Sequence, residues 1–156
     1  AFPLMILEAL ADAVGADRVG VRISPGNPYN GMDAADPEPV FSAFVASANR
    51  MNLAYIHVID MALEALDTLA MIKANWSGAI IANNNLKADT GAALLDNGRA
   101  DAVSFGRAFI ANPDLPSRLR GIAPLAKPDY NHLYAGEEIG YIDYPSLGDA
   151  KLSPTT

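Results

Sequence analysis

The segment of residues 101–116 holds the residue types best suited to binding an anion. Gly106 has no Cβ, so the backbone there can approach a ligand closely. Arg107 carries a planar guanidinium that can donate to two phosphate oxygens at once. Asn112 is a good N-cap residue and Pro113 suits the first helical position, so a helix is predicted to begin there. The segment therefore predicts a strand, an anion-binding turn and a helix in succession.

Polar residues also occur in or after two other predicted strands. Arg22 stands among apolar residues, and its side chain could either reach solvent from the strand end or present a fixed cation to a ligand. Asn83, Asn84 and Asn85 follow a later strand, and asparagine tolerates left-handed backbone geometry better than most residues. The three asparagines could therefore bind a ligand in a tight turn or cap the helix predicted to start at Lys87.

Four strand-like segments alternate with helical ones, a pattern typical of parallel β/α units. The strands are predicted over residues 19–23, 54–59, 78–82 and 102–105. Helices are predicted up to Gly15, from Pro37 onwards, and over residues 63–75, 87–97 and 113–120. Residues 124–150 are rich in proline, glycine and tyrosine, which favours a packed, mostly irregular extension.

The positions of the candidate phosphate turns distinguish two α/β architectures. A doubly wound sheet would carry a glycine-rich loop after its first strand, and the sequence after Arg22 has no such pattern. In a TIM barrel the phosphate usually binds after strands seven and eight, and the candidate turns here follow the third and fourth strands. The predicted fold is therefore the C-terminal half of a (β/α)8 barrel, strands five to eight, over residues 1–123, followed by an extension over residues 124–156.

Composition excludes several classes of protein. With 11 basic and 18 acidic side chains the formal charge is -7, which argues against a nucleic-acid surface. The chain has no cysteine, which excludes disulfides, cysteine-ligated zinc and Fe–S clusters and fits a reducing cytoplasm. No apolar run approaches the ~20 residues of a membrane span, so we expect a cytoplasmic protein. No metal site is expected, and His57 is predicted to be an inward-packed, hydrogen-bonded histidine.

The chain resembles the old yellow enzyme family, the FMN-dependent ene-reductases built on a TIM barrel. The resemblance rests on the Arg-Ile-Ser-Pro sequence that begins at Arg22, on residues 101–116 and on the Gly-Tyr-Ile-Asp-Tyr-Pro sequence of residues 140–145, and it covers residues 1–147. It implies that Tyr134 lines the substrate face of the flavin. It also implies a set of FMN-binding residues: Arg22 at the pyrimidine edge, and Asn83, Asn84, Asn85, Gly106 and Arg107 at the phosphate.

By this resemblance the complete enzyme would pass a hydride from NADPH or NADH, through FMN, to an α,β-unsaturated carbonyl or similar activated alkene. The chain would supply the flavin-binding half, and the proton donor would lie in an N-terminal half with no counterpart here. Asn84 stands where the family commonly has glycine, so its side chain is expected to crowd the phosphate. The alternative is a half-barrel binding or assembly module that retains a phosphate site without redox chemistry.

The count of four strands also predicts a partner for the sheet. A four-stranded parallel sheet has two apolar edges, which invite pairing with another chain. We expect either an N-terminal half-barrel or a second copy of this chain to cover them. Because Ala1 lies within a predicted helix, further sequence upstream is also expected.

Overall fold

The computed structural model describes residues 2–32, 36–121 and 123–149 of the 156-residue chain. They divide into two compact units, the first ending at Ser104 and the second beginning at Phe105. The first contains the whole described sheet, and the second contains two short helices and the extension. Among the described residues, no helix has both the length and the apolar character needed to cross a bilayer.

The first unit is a parallel sheet covered by helices, as the alternating pattern predicted. Its strand order is β1-β2-β3-β4, with every pair parallel. The strands are β1 (Gly20–Ile23), β2 (Tyr55–Ile59), β3 (Ala79–Asn83) and β4 (Ala102–Ser104), which confirms each predicted strand to within one residue at either end. The helices between them are α1 (Phe2–Val14), α2 (Pro37–Asn49), α3 (Thr68–Asn75) and α4 (Ala88–Asp96).

Alternate residues along the strands face opposite sides of the sheet. One side packs against the helices, and Ile56 and Val58 of β2 are fully buried there with Ile72 of α3. The other side carries Arg22, His57, Asn83 and Ser104, and we call these four residues the polar face. Paired residues in parallel strands point the same way, and the pairs are Arg22–His57, His57–Ile81 and Asn83–Ser104. Since Asn83 lies two residues after Ile81, all four polar residues lie on one side.

Helix α3 begins later than predicted. The sequence predicted a helix over residues 63–75, whereas α3 starts at Thr68. The Asp67 carboxylate accepts a hydrogen bond from the Ala70 amide at 3.0 Å and caps the helix there. Before it, the Asp60 carboxylate accepts from the amide of Ala62, which has a φ of 51°, so the chain leaves β2 through a turn.

In the second unit the helices differ from the one that was predicted to begin at Asn112 and Pro113. This unit contains α5 (Arg107–Ala111) and α6 (Leu115–Leu119), and the N-cap position of α6 is Asp114. Asn112 is fully buried, and its side-chain amide donates to the carbonyl of Ala126 at 3.1 Å and accepts from the Ala126 amide at 2.7 Å. The buried amide of Asn112 thus has both a donor and an acceptor partner, and these two hydrogen bonds join the end of α5 to the extension.

The two compact units divide after Ser104, whereas the sequence suggested a domain boundary at residue 123. Polar contacts explain the difference, because they connect the short helices to the extension. Arg118 donates to the Asp114 carboxylate at 2.6 Å and to the carbonyl of Pro124 at 2.9 Å. Asp114 in turn accepts from the Leu147 amide at 2.8 Å.

Candidate functional site

The polar face is a connected network of four side chains, one from each strand. Arg22 Nη2 donates to Asn83 Oδ1 at 3.2 Å, and Arg22 Nη1 lies 3.3 Å from Nδ1 and 3.4 Å from Nε2 of His57. Asn83 Nδ2 donates to both the carbonyl oxygen and Oγ of Ser104 at 2.9 Å. His57 Nε2 lies 2.8 Å from the same Oγ, which closes the network.

The network requires a neutral His57. A guanidinium only donates hydrogen bonds, so the ring nitrogen that Arg22 approaches must accept. With its proton on Nε2, the ring donates to Ser104 Oγ and accepts from Arg22 at Nδ1, and this is the tautomer that fits the contacts. Burial and the positive charge of Arg22 both lower the pKa of His57, which keeps the ring neutral. The polar face therefore carries a single positive charge, at Arg22.

The turn after β3 has the backbone geometry of a glycine position. Asn84 has a φ of 118° and Asn85 a φ of 48°. Asn84 Nδ2 donates to the carbonyl of Asp60 at 2.8 Å, so its side chain is held by the end of β2. Helix α4 then begins after Lys87, whose amide donates to the Thr90 hydroxyl at 2.8 Å.

Gly106 and Arg107 lie in the second unit. Gly106 has a φ of -95°, and a Cβ built there would meet no heavy atom within 4 Å among the described residues. Neither a positive φ nor packing against the described residues therefore demands glycine at this position. The Arg107 guanidinium lies 5.9 Å from the centre of the Tyr130 ring, a cation–π distance.

Tyr134, the predicted substrate-side residue, also lies in the second unit and is 80% exposed. The tyrosine motif of residues 140–145 has a structural contact, since the Tyr144 hydroxyl accepts from the Asp129 amide at 2.6 Å. Among residues 2–32, 36–121 and 123–149, no group of three or more His, Cys, Asp or Glu residues is placed to hold a metal ion.

The structure brings two of the predicted site residues, Arg22 and Asn83, into direct contact. The prediction that His57 is an inward-packed, hydrogen-bonded histidine agrees with its contacts. Ser104 was missed, although its position as the last, polar residue of an otherwise apolar strand is the same signal that identified Asn83. The Tyr130 contact with Arg107 is formed in the irregular extension, where the sequence gives no periodic signal.

Comparisons with known proteins place these residues in context. Residues 1–125 match the family model described as NADH:flavin oxidoreductase / NADH oxidase family. The chain is 34% identical to 12-oxophytodienoate reductase 2 of Arabidopsis thaliana, over 94% of this chain and 41% of that protein. It is also 34% identical to a probable flavin mononucleotide-dependent alkene reductase of Leishmania infantum, over 94% of this chain and 40% of that protein.

Solved structures show the same relationship. Morphinone reductase in complex with tetrahydroNAD matches with a TM-score of 0.87 and 37% identity, covering 99% of this chain and 42% of that one. The old yellow enzyme from Trypanosoma cruzi matches with a TM-score of 0.83 and 36% identity, covering 91% of this chain and 38% of that one. The predicted fold class, a parallel α/β part of a barrel, is confirmed. The chain spans about two fifths of the length of these relatives.

Proposed function

The chain belongs to the NADH:flavin oxidoreductase / NADH oxidase family, and from this premise we propose that it supplies the flavin-binding part of an FMN-dependent ene-reductase. The resemblance to old yellow enzyme predicted from the sequence is confirmed by the same match and by the solved relatives. Bound FMN would accept a hydride from NADH or NADPH and deliver it to the β-carbon of an activated alkene such as an α,β-unsaturated carbonyl. Because the chain spans about two fifths of its relatives, this activity is proposed for the complete protein.

The observation that carries the proposal is the single positive charge on the polar face. Arg22 is exposed there, beside neutral partners that orient it without cancelling its charge. A fixed cation beside the flavin pyrimidine would stabilise the negative charge that develops when the ring system is reduced. The role proposed for Arg22 is thus electrostatic, since a guanidinium stays protonated at neutral pH and cannot act as a proton donor or acceptor in catalysis.

The phosphate of FMN is proposed to bind at the turns that follow β3 and β4. Positive φ at Asn84 and Asn85 is the geometry that exposes consecutive backbone amides to an anion. Gly106 leaves open space where a side chain would stand, and Arg107 can donate to two phosphate oxygens. Each of the two turns therefore offers donors of the kind that a phosphate group requires.

Tyr134 is proposed to contact the substrate, because its ring is exposed and it follows the family pattern at that place. No proton donor is assigned within this chain. The proton that accompanies the hydride onto the alkene is therefore proposed to come from the part of the complete protein that contributes the remaining strands.

That remaining part is also the proposed partner of the sheet. Helix α1 exposes Phe2, Met5, Ile6 and Leu10, with Phe2 71% exposed, and these apolar residues recur at helical spacing along one side. β1 and β4 are the edges of the described sheet. An N-terminal half-barrel would cover both features, and a self-paired dimer is the alternative occupant. Sedimentation of the 156-residue chain at low micromolar concentration should show a dimer, a complex or aggregate, and a cooperative monomer would contradict this pairing.

The absorption spectrum of the complete protein tests the proposed function. A flavin spectrum that bleaches when NADH or NADPH is added, and returns when an enone is added, is expected. Comparing the two coenzymes will identify the hydride donor. A colourless protein that binds inorganic phosphate would instead favour the non-catalytic module. Cell fractionation tests the cytoplasmic location, which we propose because a cysteine-free chain suits a reducing compartment.

Arg107→Ala tests the phosphate site. Losing a charged hydrogen-bond donor should weaken FMN binding by about 1.5–3 kcal/mol. Arg120→Ala, which removes another exposed arginine of the same unit, is the matched control and should leave FMN affinity unchanged. Equal affinities of the two variants would remove Arg107 from the site.

A further inference from the structure

We propose that Asn83 is a positioning residue that holds the Arg22 guanidinium in place and thereby sets how readily the bound flavin is reduced. The inference rests on the proposed function for its consequence, but the coupling between Asn83 and Arg22 can be tested without flavin. It assigns the Asn83 side chain a role different from the phosphate contact that the sequence suggested.

The contacts of Asn83 fix the orientation of its amide. Nδ2 donates to the carbonyl oxygen and to Oγ of Ser104, both at 2.9 Å, which anchors the group to β4. Oδ1 then faces Arg22 Nη2 at 3.2 Å. The reversed amide would place an N–H group against the guanidinium, which has no acceptor, so only one orientation satisfies both neighbours. Asn83 therefore joins Arg22 on β1 to the far edge of the described sheet.

The chemistry of an amide suits this task. An arginine side chain is long and flexible, and holding it in one geometry costs conformational entropy that hydrogen bonds must offset. A carboxylate at this place would hold Arg22 more strongly but would neutralise it. The Asn83 carbonyl accepts a hydrogen bond and leaves the charge intact. His57 adds a second contact, with its ring nitrogens 3.3 and 3.4 Å from Nη1.

His57 is a reporter of this geometry. Burial lowers its pKa first, and the charge of Arg22 lowers it further. In the part of the chain that the structure describes, the His57 ring has hydrogen-bond contacts with Arg22 from β1 and Ser104 from β4, and Arg22 is the charged residue of the two. If Asn83 keeps the guanidinium beside the ring, releasing Arg22 should raise the pKa of His57.

The first experiment measures that pKa by NMR titration of the complete protein prepared without flavin, with the signal assigned by its loss in His57→Gln. Asn83→Ala should raise the pKa of His57, as should Arg22→Met. In the double variant, Asn83→Ala should cause no further change beyond Arg22→Met. An unchanged pKa in Asn83→Ala would overturn the proposal. So would a shift that persists in the Arg22→Met background, because Asn83 would then act on His57 through Ser104.

The second experiment measures the reduction potential of bound flavin and the rate of its reduction by NADH or NADPH. Asn83→Ala should lower the potential and slow hydride transfer by about fivefold, the effect of losing one hydrogen bond. It should have no effect in the Arg22→Met background, and it should change FMN affinity less than Arg107→Ala does. An unchanged potential would overturn the electrostatic role. If the parent protein binds no flavin, the proposed function fails while the NMR titration still decides the coupling.

Discussion

Asn84 should tolerate glycine far better than alanine. Its φ of 118° is one that L-residues rarely adopt, at a cost of about 1–3 kcal/mol. Its hydrogen bond to the Asp60 carbonyl at 2.8 Å offsets about 0.5–1.5 kcal/mol of that strain. Asn84→Gly loses the hydrogen bond, and the greater freedom of glycine in the unfolded chain costs about 0.4–1 kcal/mol in addition, but the variant removes the backbone strain. The free energy of unfolding should therefore change by less than about 1 kcal/mol.

Alanine loses the same bond and keeps the strain, so Asn84→Ala should lower the free energy of unfolding by about 0.5–1.5 kcal/mol. In thermal unfolding of the complete protein, followed by circular dichroism, the alanine variant should melt about 1–3 °C below the glycine variant. Asn97 is the matched control, because its φ is -82° and glycine there should be the less stable replacement. Equal stabilities of Asn84→Gly and Asn84→Ala would refute the argument from backbone strain.

Three other predictions test separate features of the two units. Gly106→Ala should change the free energy of unfolding by less than about 0.5 kcal/mol, since its Cβ would meet open space. The same variant should weaken FMN binding in a titration, and an unchanged affinity would show that this backbone is not part of the phosphate site. The pKa of His57 is lowered in the folded protein, so the unfolded chain takes up the proton first as the pH falls. The free energy of unfolding should therefore decrease from about pH 6.5 down to the lowered pKa of the folded protein, and by less in His57→Gln. Asn112→Ala should lower the free energy of unfolding by about 1–3 kcal/mol, because it removes the buried Asn112 amide and both hydrogen-bond partners of the half-buried Ala126 backbone. A loss below about 0.5 kcal/mol in urea denaturation would contradict this.

The strands were predictable because their signal is local. Each is a short apolar segment bounded by residues that stop it, and β-branched side chains such as Ile56 and Val58 favour pleated structure. The start of α3 was not predictable from that signal, because residues 63–66 are compatible with a helix and only the Asp67 cap decides where it begins. Asn112 was misread for a related reason. Before a proline it looks like a cap, and its true partner, Ala126, lies 14 residues away.

The candidate site was likewise predictable from the sequence only in part. Arg22 could be identified from the sequence because a charged residue inside an apolar strand indicates a specific role for the charge. Its contact with Asn83 depends on the register of three strands, and a shift of one residue would send either side chain to the other side of the sheet. Register is fixed by packing of the whole sheet, so pairwise contacts across it follow only from the folded structure.

The buried amide of Asn112 has a consequence for recombination between relatives. In a chimera joined at residue 123, the extension of a relative would have to place its own backbone groups where those of Ala126 bind the Asn112 amide. We therefore expect that the extension cannot be exchanged alone. A crossover directly after Ser104 keeps Asn112 together with the segment it braces. Residues 105–149 are therefore the segment to exchange as one piece, and the substrate contact proposed for Tyr134 would be transferred with it.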